Sequence, residues 1–130
     1  MKKHIVSHIA IYILSVVMIV FGIYHLRFPT NMVDYVPPGL PGGIIWVKLV
    51  GAAFILAAIS FILNKMVKLS AYLLALLLII FVLAVHLPIY LQAGQVETSQ
   101  TALINILKDS ALAAFALHIA GSADSHGMKY

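Results

Sequence analysis

Lys108 and Asp109 stand side by side inside an apolar stretch, with Asn105 one helical turn before them. A Lys or Asp held near mid-membrane costs on the order of 2.5–3.5 kcal/mol on insertion scales, so such residues pair or line a polar cavity. An ammonium, a carboxylate and a carboxamide together can hydrogen-bond a polar head group and hand on a proton. Too few residues separate Asp109 from Gly121 to cross a bilayer, which takes roughly 20 in helix. The spanning segment therefore starts near Thr101 or Ala102, and both charges lie below the surface. His25, Arg27, Lys48 and His86 are further ionisable groups near the ends of apolar runs. A quinone would need proton donors near its carbonyl oxygens, a task that His86, Lys48 and Asp109 could share.

The elements that must position these groups are long and apolar. The 130-residue chain is 63% hydrophobic and 9% charged, with a mean hydropathy of +1.08. Soluble domains carry about 25% charged residues. A soluble fold of this size could not hide so much apolar surface, so the solvent is lipid. Four runs, at about 5–26, 43–63, 69–91 and 102–121, are each long enough to span with some tilt. They predict an all-α fold, an integral membrane four-helix bundle in one domain. Met1-Lys2-Lys3 could open a signal peptide, but the run that follows exceeds an h-region of about 7–15 residues, and no small-x-small cleavage site follows it. It reads as an uncleaved first helix.

Orientation follows from Lys and Arg. Lys2 and Lys3 precede the first run, Lys65 and Lys68 lie between the second and third, and Lys129 is in the tail, whereas the opposite face has only Arg27 in its loops. Both termini are expected in the cytoplasm, and the loops at 27–43 and 92–101 outside. The outer loop 27–43 is punctuated by Pro29, Pro37, Pro38, Gly39, Pro41, Gly42 and Gly43, yet carries Phe28, Met32, Val33, Tyr35 and Val36. It is expected to form a partly ordered flap over the outer end.

With that orientation, every run brings polar side chains to the outer third: His25 and Arg27 on the first, Trp46 and Lys48 on the second, His86, Tyr90 and Gln92 on the third, and Asn105, Lys108 and Asp109 on the fourth. Asp109 is the deepest, roughly 18 Å above the inner boundary at about 1.5 Å of rise per residue. Asn105, Lys108 and Asp109 share one broad face. On the third run, Tyr72, Ala75, Ile79, Val82 and His86 are expected to share another. Neighbours on a helix point about 100° apart, so Asp109 is expected to face a cation from another helix, Lys48, Arg27 or protonated His25, rather than Lys108.

Other readings compete. Lys48, Arg27 and His25 are close enough to the interface to snorkel, and Trp46 and Tyr90 suit an interfacial belt. Asp109 with Lys108 could simply stitch helices together. His25 with His86, and His8 with His118, could serve as axial haem pairs, but six histidines in a basic membrane protein form such patterns readily. Haem therefore ranks below the other readings. Zinc is not supported, because no ligand cluster of the required kind is present. With Cys 0, thiol redox chemistry and thiolate metal sites are excluded. No nucleotide loop, nucleophile elbow or metalloprotease motif occurs. The net charge of +4 falls at helix ends rather than in a stripe interleaved with aromatics, which excludes nucleic acid.

Phe21-Gly22 through Phe28-Pro29, Val36-Pro37-Pro38-Gly39-Leu40-Pro41, Val50-Gly51, Lys65 through Lys68, and His86-Leu87-Pro88-Ile89-Tyr90 together give the chain a resemblance to the DoxX family, in its DoxX-like branch, over about residues 7–120. The resemblance implies a small bacterial four-helix membrane protein. One branch of that family supplies membrane subunits of thiosulfate:quinone oxidoreductase, and others are linked to oxidative-stress and thiol-handling membrane complexes. Members often carry an acidic residue just after the helix-2 glycine. Here Gly51 is followed by Ala52-Ala53-Phe54, and that carboxylate is missing or has moved to Asp109.

The leading expectation is a multi-pass protein of the bacterial inner membrane with an outward-facing polar pocket. In it, His25, Arg27, Lys48, His86, Asn105, Lys108 and Asp109 contact a small lipidic or redox ligand, such as a quinone. The alternative, from another class, is a non-catalytic scaffold or assembly subunit. The partners implied are the lipid bilayer, a membrane or periplasmic redox protein, and a further copy of the same chain.

Overall fold

The computed structural model describes residues 2–37 and 39–123. Lys129, the tail residue used in the orientation argument, lies outside the described residues. Among the described residues the fold is all-helical, with five α-helices: α1 Lys2–Arg27, α2 Ile44–Leu63, α3 Val67–Ile80, α4 Leu87–Gln92 and α5 Val96–Ser122. A 3-10 helix, Pro29–Tyr35, follows α1, and a π-helical turn, Phe81–His86, joins α3 to α4. Four segments are long and apolar enough to cross a membrane: Ile5–Arg27, Ile44–Leu63, Val67–Gln92 and Val96–Ser122. The chain is a multi-pass membrane protein.

The helices are apolar on every side, so size decides which face is buried. Ala57, Ala58, Ala71, Ala75, Ala102, Ala113, Ala116 and Ala120 are buried, while Leu56, Leu73, Leu76, Leu83, Ile104 and Leu107 are exposed. Water would not tolerate such a surface. Lipid does, because tails solvate Leu as well as a core would, and small residues let backbones approach. α1 and α2 approach each other closely. A Cβ on Gly22 would sit 2.8 Å from the Gly51 carbonyl oxygen, and one on Gly51 would sit 2.9 Å from that of Gly22. The other extensive pairing is α3 with α5. Ile11, Leu14 and Met18 of α1, Phe54, Ala58 and Phe61 of α2, Leu74 and Leu78 of α3, and Ala116 and Ile119 of α5 meet in one apolar core. Ser15, fully buried there, donates its hydroxyl to the Ile11 carbonyl (2.8 Å), leaving no hydroxyl unsatisfied in hydrocarbon.

Local chemistry sets the helix ends. Pro29 follows α1, and Phe28 before it leaves the α region (φ −126°), as a residue preceding proline does. Gly42 and Gly43, with φ of +98° and +37°, admit the turn into α2. Asn64 closes α2 in the left-handed conformation that asparagine tolerates at a helix end. Ser60 donates its hydroxyl to the Lys65 carbonyl and accepts from Ser70 (2.7 Å), bracing the short connection to α3.

The third span departs from a regular helix just before Pro88. Pro88 has no N–H, and its ring would strike the carbonyl of residue 84 in an α-helix. The π turn immediately before it absorbs this conflict and inserts one extra residue. The insertion changes which side chains face inward. Eight regular residues on from Leu78, His86 would lie roughly 80° from the buried face, whereas one residue fewer of rotation leaves it within about 20°. His86 is indeed buried. The buried face of α3 is Val67, Ala71, Leu74, Ala75 and Leu78, not the one predicted, since Tyr72 and Ile79 point outward. A face counted at constant α-helical pitch cannot run through a π turn.

One other boundary shifts. The fourth span begins at Val96 rather than near residue 102, because its polar first turns are helical without being apolar. The connection expected as an outer flap carries the 3-10 helix, which packs on α2 and α1.

Candidate functional site

Asp109 lies on the buried stripe of α5 that also holds Ala102, Ala113 and Ala116, and is 4% exposed. Its Oδ2 is 3.0 Å from Nε2 of His86. Its Oδ1 is 3.6 Å from Nζ of Lys108. These are the two ion-pair contacts found among the described residues, so Asp109 is the hub of both. The ionisable group facing it from another helix is therefore His86, not Lys48, Arg27 or His25. Lys108 also reaches it, against the expectation that helix neighbours pair poorly. Its long, partly exposed side chain bends back over the helix instead of pointing along its own radius. On the way it reaches the Asn105 Oδ1 (3.5 Å) and stands 4.9 Å from the centre of the Phe21 ring, a cation–π contact across to α1.

His25 joins the cluster from α1. Its Nδ1–H donates to the Phe21 carbonyl (2.6 Å), and its ring meets Phe54 edge-on at 5.4 Å. It lies within electrostatic reach of both Lys108 and Asp109. Phe54 in turn contacts Phe81 at the start of the π turn. Haem ligation by His25 and His86 does not fit this arrangement, since Phe54 stands against His25 and His86 gives its Nε2 to Asp109. Arg27 and Lys48 are exposed and take part in neither ion pair. Of the seven residues singled out by sequence, the structure gathers His86, Asn105, Lys108 and Asp109 and sets His25 beside them. Arg27 and Lys48 stay at the surface.

The other nitrogen of the His86 ring, Nδ1, is buried and without a hydrogen-bond partner. Tyr35, the last residue of the 3-10 helix, presents its ring edge-on to that imidazole, 5.9 Å between centres. Tyr35 is also a wall of a cleft of about 310 Å³ whose other lining residues are Ile89, Glu97, Thr98, Thr101, Ala102 and Asn105. The cleft thus opens between α4 and α5 within two turns of Asp109. Sequence reasoning placed Tyr35 only among the apolar residues of the outer loop, and missed Glu97, Thr98 and Thr101 because it began the fourth span too late. Amphipathic spacing through Thr98, Thr101, Ala102 and Asn105 was the available signal.

Chemically, the arrangement is a polar cluster around a buried His86–Asp109 pair, balanced in charge between Lys108 and Asp109, with an imidazole held by the carboxylate and one nitrogen left over. Among the described residues, no group of three or more His, Asp or Glu side chains is placed to hold a metal ion. No curated protein and no solved structure matches the chain. Residues 14–120, which contain every member of this cluster, match a family described as a domain of unknown function (DUF8561), and the chain belongs to that family.

Proposed function

We propose that the protein binds the head group of a small lipidic or redox molecule, a quinone being the leading candidate, at the His86–Asp109 pair and its adjoining cleft. The observation that carries this reading is the buried His86–Asp109 contact with an unused imidazole nitrogen, beside an aromatic ring that also lines an open cleft. Buried ionisable groups inside a membrane are costly and mark ligand or proton sites more often than chance would give. π turns also recur at functional sites. The setting we propose is a four-helix bundle in the bacterial inner membrane, both termini cytoplasmic and the cleft toward the outer leaflet, as the Lys and Arg distribution supports. A DoxX-like role beside a membrane or periplasmic redox partner agrees with that setting, as does self-association.

The test is native mass spectrometry of the protein extracted with its own lipids, together with an absorbance scan. A retained quinone-sized adduct, lost in Asp109→Asn and His86→Ala while both variants still insert, supports the site. A clean apo mass from the parent protein goes against it.

One observation favours a second reading. Asp109 is satisfied from two sides and ties the third span to α5, which is what a purely structural staple in a scaffold subunit would do. That reading predicts that Asp109→Asn lowers thermal stability in detergent with no bound molecule to lose.

A further inference from the structure

Inside a low-dielectric span, the cheapest charge state of the cluster is the neutral one. Lys108 supplies one positive charge and Asp109 one negative, 3.6 Å apart. A neutral His86 keeps that balance, and a protonated one breaks it. A neutral imidazole carries a single N–H. Asp109, an acceptor only, sits 3.0 Å from Nε2, so that nitrogen holds the hydrogen. Nδ1 is then a bare lone pair, and it is the buried side-chain nitrogen that has no partner. A buried acceptor left unsatisfied costs about 1–3 kcal/mol, so the site is incomplete as it stands.

Beside the imidazole stands a phenol. The Tyr35 ring lies edge-on to the imidazole at an interplanar angle of 70°, on a short 3-10 helix bounded by Pro29 and by the Pro37 segment. The space it occupies beside His86 is therefore shaped for an aromatic ring. The same residue lines the cleft.

Resting on the binding reading above, we infer that Nδ1 of His86 accepts a hydrogen bond from a phenolic hydroxyl of the ligand, so that the site selects a hydroquinone-type head group over its quinone or ether counterpart. Tyr35 is the cover that the incoming ring displaces. Asp109 is a positioning residue: it fixes which imidazole nitrogen is left free. No electron or covalent step is involved in this selection.

The test compares 4-nonylphenol with its methyl ether, which differ only in the O–H, titrated into the full-length protein in lipid nanodiscs and read by heat of binding and by the 15N resonance of His86 Nδ1. The expected result is at least about tenfold tighter binding of the phenol, with a shift of the Nδ1 resonance on saturation, and loss of the preference in His86→Phe. Equal affinities overturn the inference but leave the cleft as a binding site. A preference that survives in His86→Phe, or that leaves the Nδ1 resonance unmoved, places the acceptor elsewhere and also overturns it. No binding of either probe removes this inference together with the reading it rests on. Should His86→Phe fail to insert, the resonance shift in the parent protein decides.

Discussion

Nε2 of His86 and Oδ2 of Asp109 meet at 3.0 Å, joining the third span to α5 at a level where both residues are buried. The contact depends on two separate sequence features. The α5 stripe through Ala102, Ala113 and Ala116 points Asp109 inward, and the extra residue of the π turn brings His86 round to meet it. Each feature gives a prediction.

The coupling between the two side chains should be measurable as non-additivity. Asp109→Asn, His86→Ala and the double variant form a cycle, unfolded reversibly in bicelles. Interhelical polar pairs in membranes contribute on the order of 1–2 kcal/mol in model systems, and we expect a coupling of that size. Additivity within about 0.5 kcal/mol means that the pair does not form in the bilayer.

The π turn gives a deletion prediction. Removing Ala84 together with Pro88→Ala takes out the inserted residue and the reason for it, so the span becomes a regular helix with His86 still on the face of Leu78. Removing Leu77 from α3 instead rotates everything after it by roughly 100°. The first variant should keep its thermal midpoint within a few degrees and hold the 15N signature of a His86–Asp109 hydrogen bond. The second should lose both. Equal damage from the two deletions sinks the phase argument.

Much of this was legible from residues alone. Hydropathy places four spans, and the residue types that cannot sit in lipid without company mark the level of the site. Pairing was not legible. A hairpin counted symmetrically about Gly94 sets His86 opposite Ala102, two turns short of Asp109. The real register depends on how far α5 extends toward Val96 and on the π turn, and neither is a property of local hydrophobicity. Arg27 and Lys48 resembled site residues because they share the depth of His25, but depth along a helix does not say which way a side chain faces. Tyr35 could be read as an interfacial aromatic, while its contact with His86 depends on how the 3-10 helix packs.

The surface placement of Arg27 and Lys48 is itself testable. Both are exposed and outside the ion pairs. Arg27→Gln and Lys48→Gln should each change stability by no more than about 0.5 kcal/mol and leave probe binding within about twofold. A tenfold loss in either would bring that residue back into the site.

The α1–α2 crossing gives the last prediction. A Cβ on Gly51 would approach the Gly22 carbonyl to 2.9 Å and the Cβ of His25 to 2.8 Å, and neither a backbone oxygen nor a helix-anchored Cβ can swing aside. Gly51→Ala must therefore push α1 away from α2, carrying Phe21 and His25 with it. Overpacking of this kind costs typically 1–3 kcal/mol, and it should also weaken probe binding, because the Phe21 ring that holds Lys108 moves with α1. Gly121, in the last turn of α5, has open space around its missing side chain. Gly121→Ala should be neutral or stabilise by up to about 1 kcal/mol, since alanine loses less backbone freedom in a helix. Thermal midpoints of the two variants in one detergent provide the check. If Gly51→Ala is as stable as Gly121→Ala, the two backbones do not touch at this crossing.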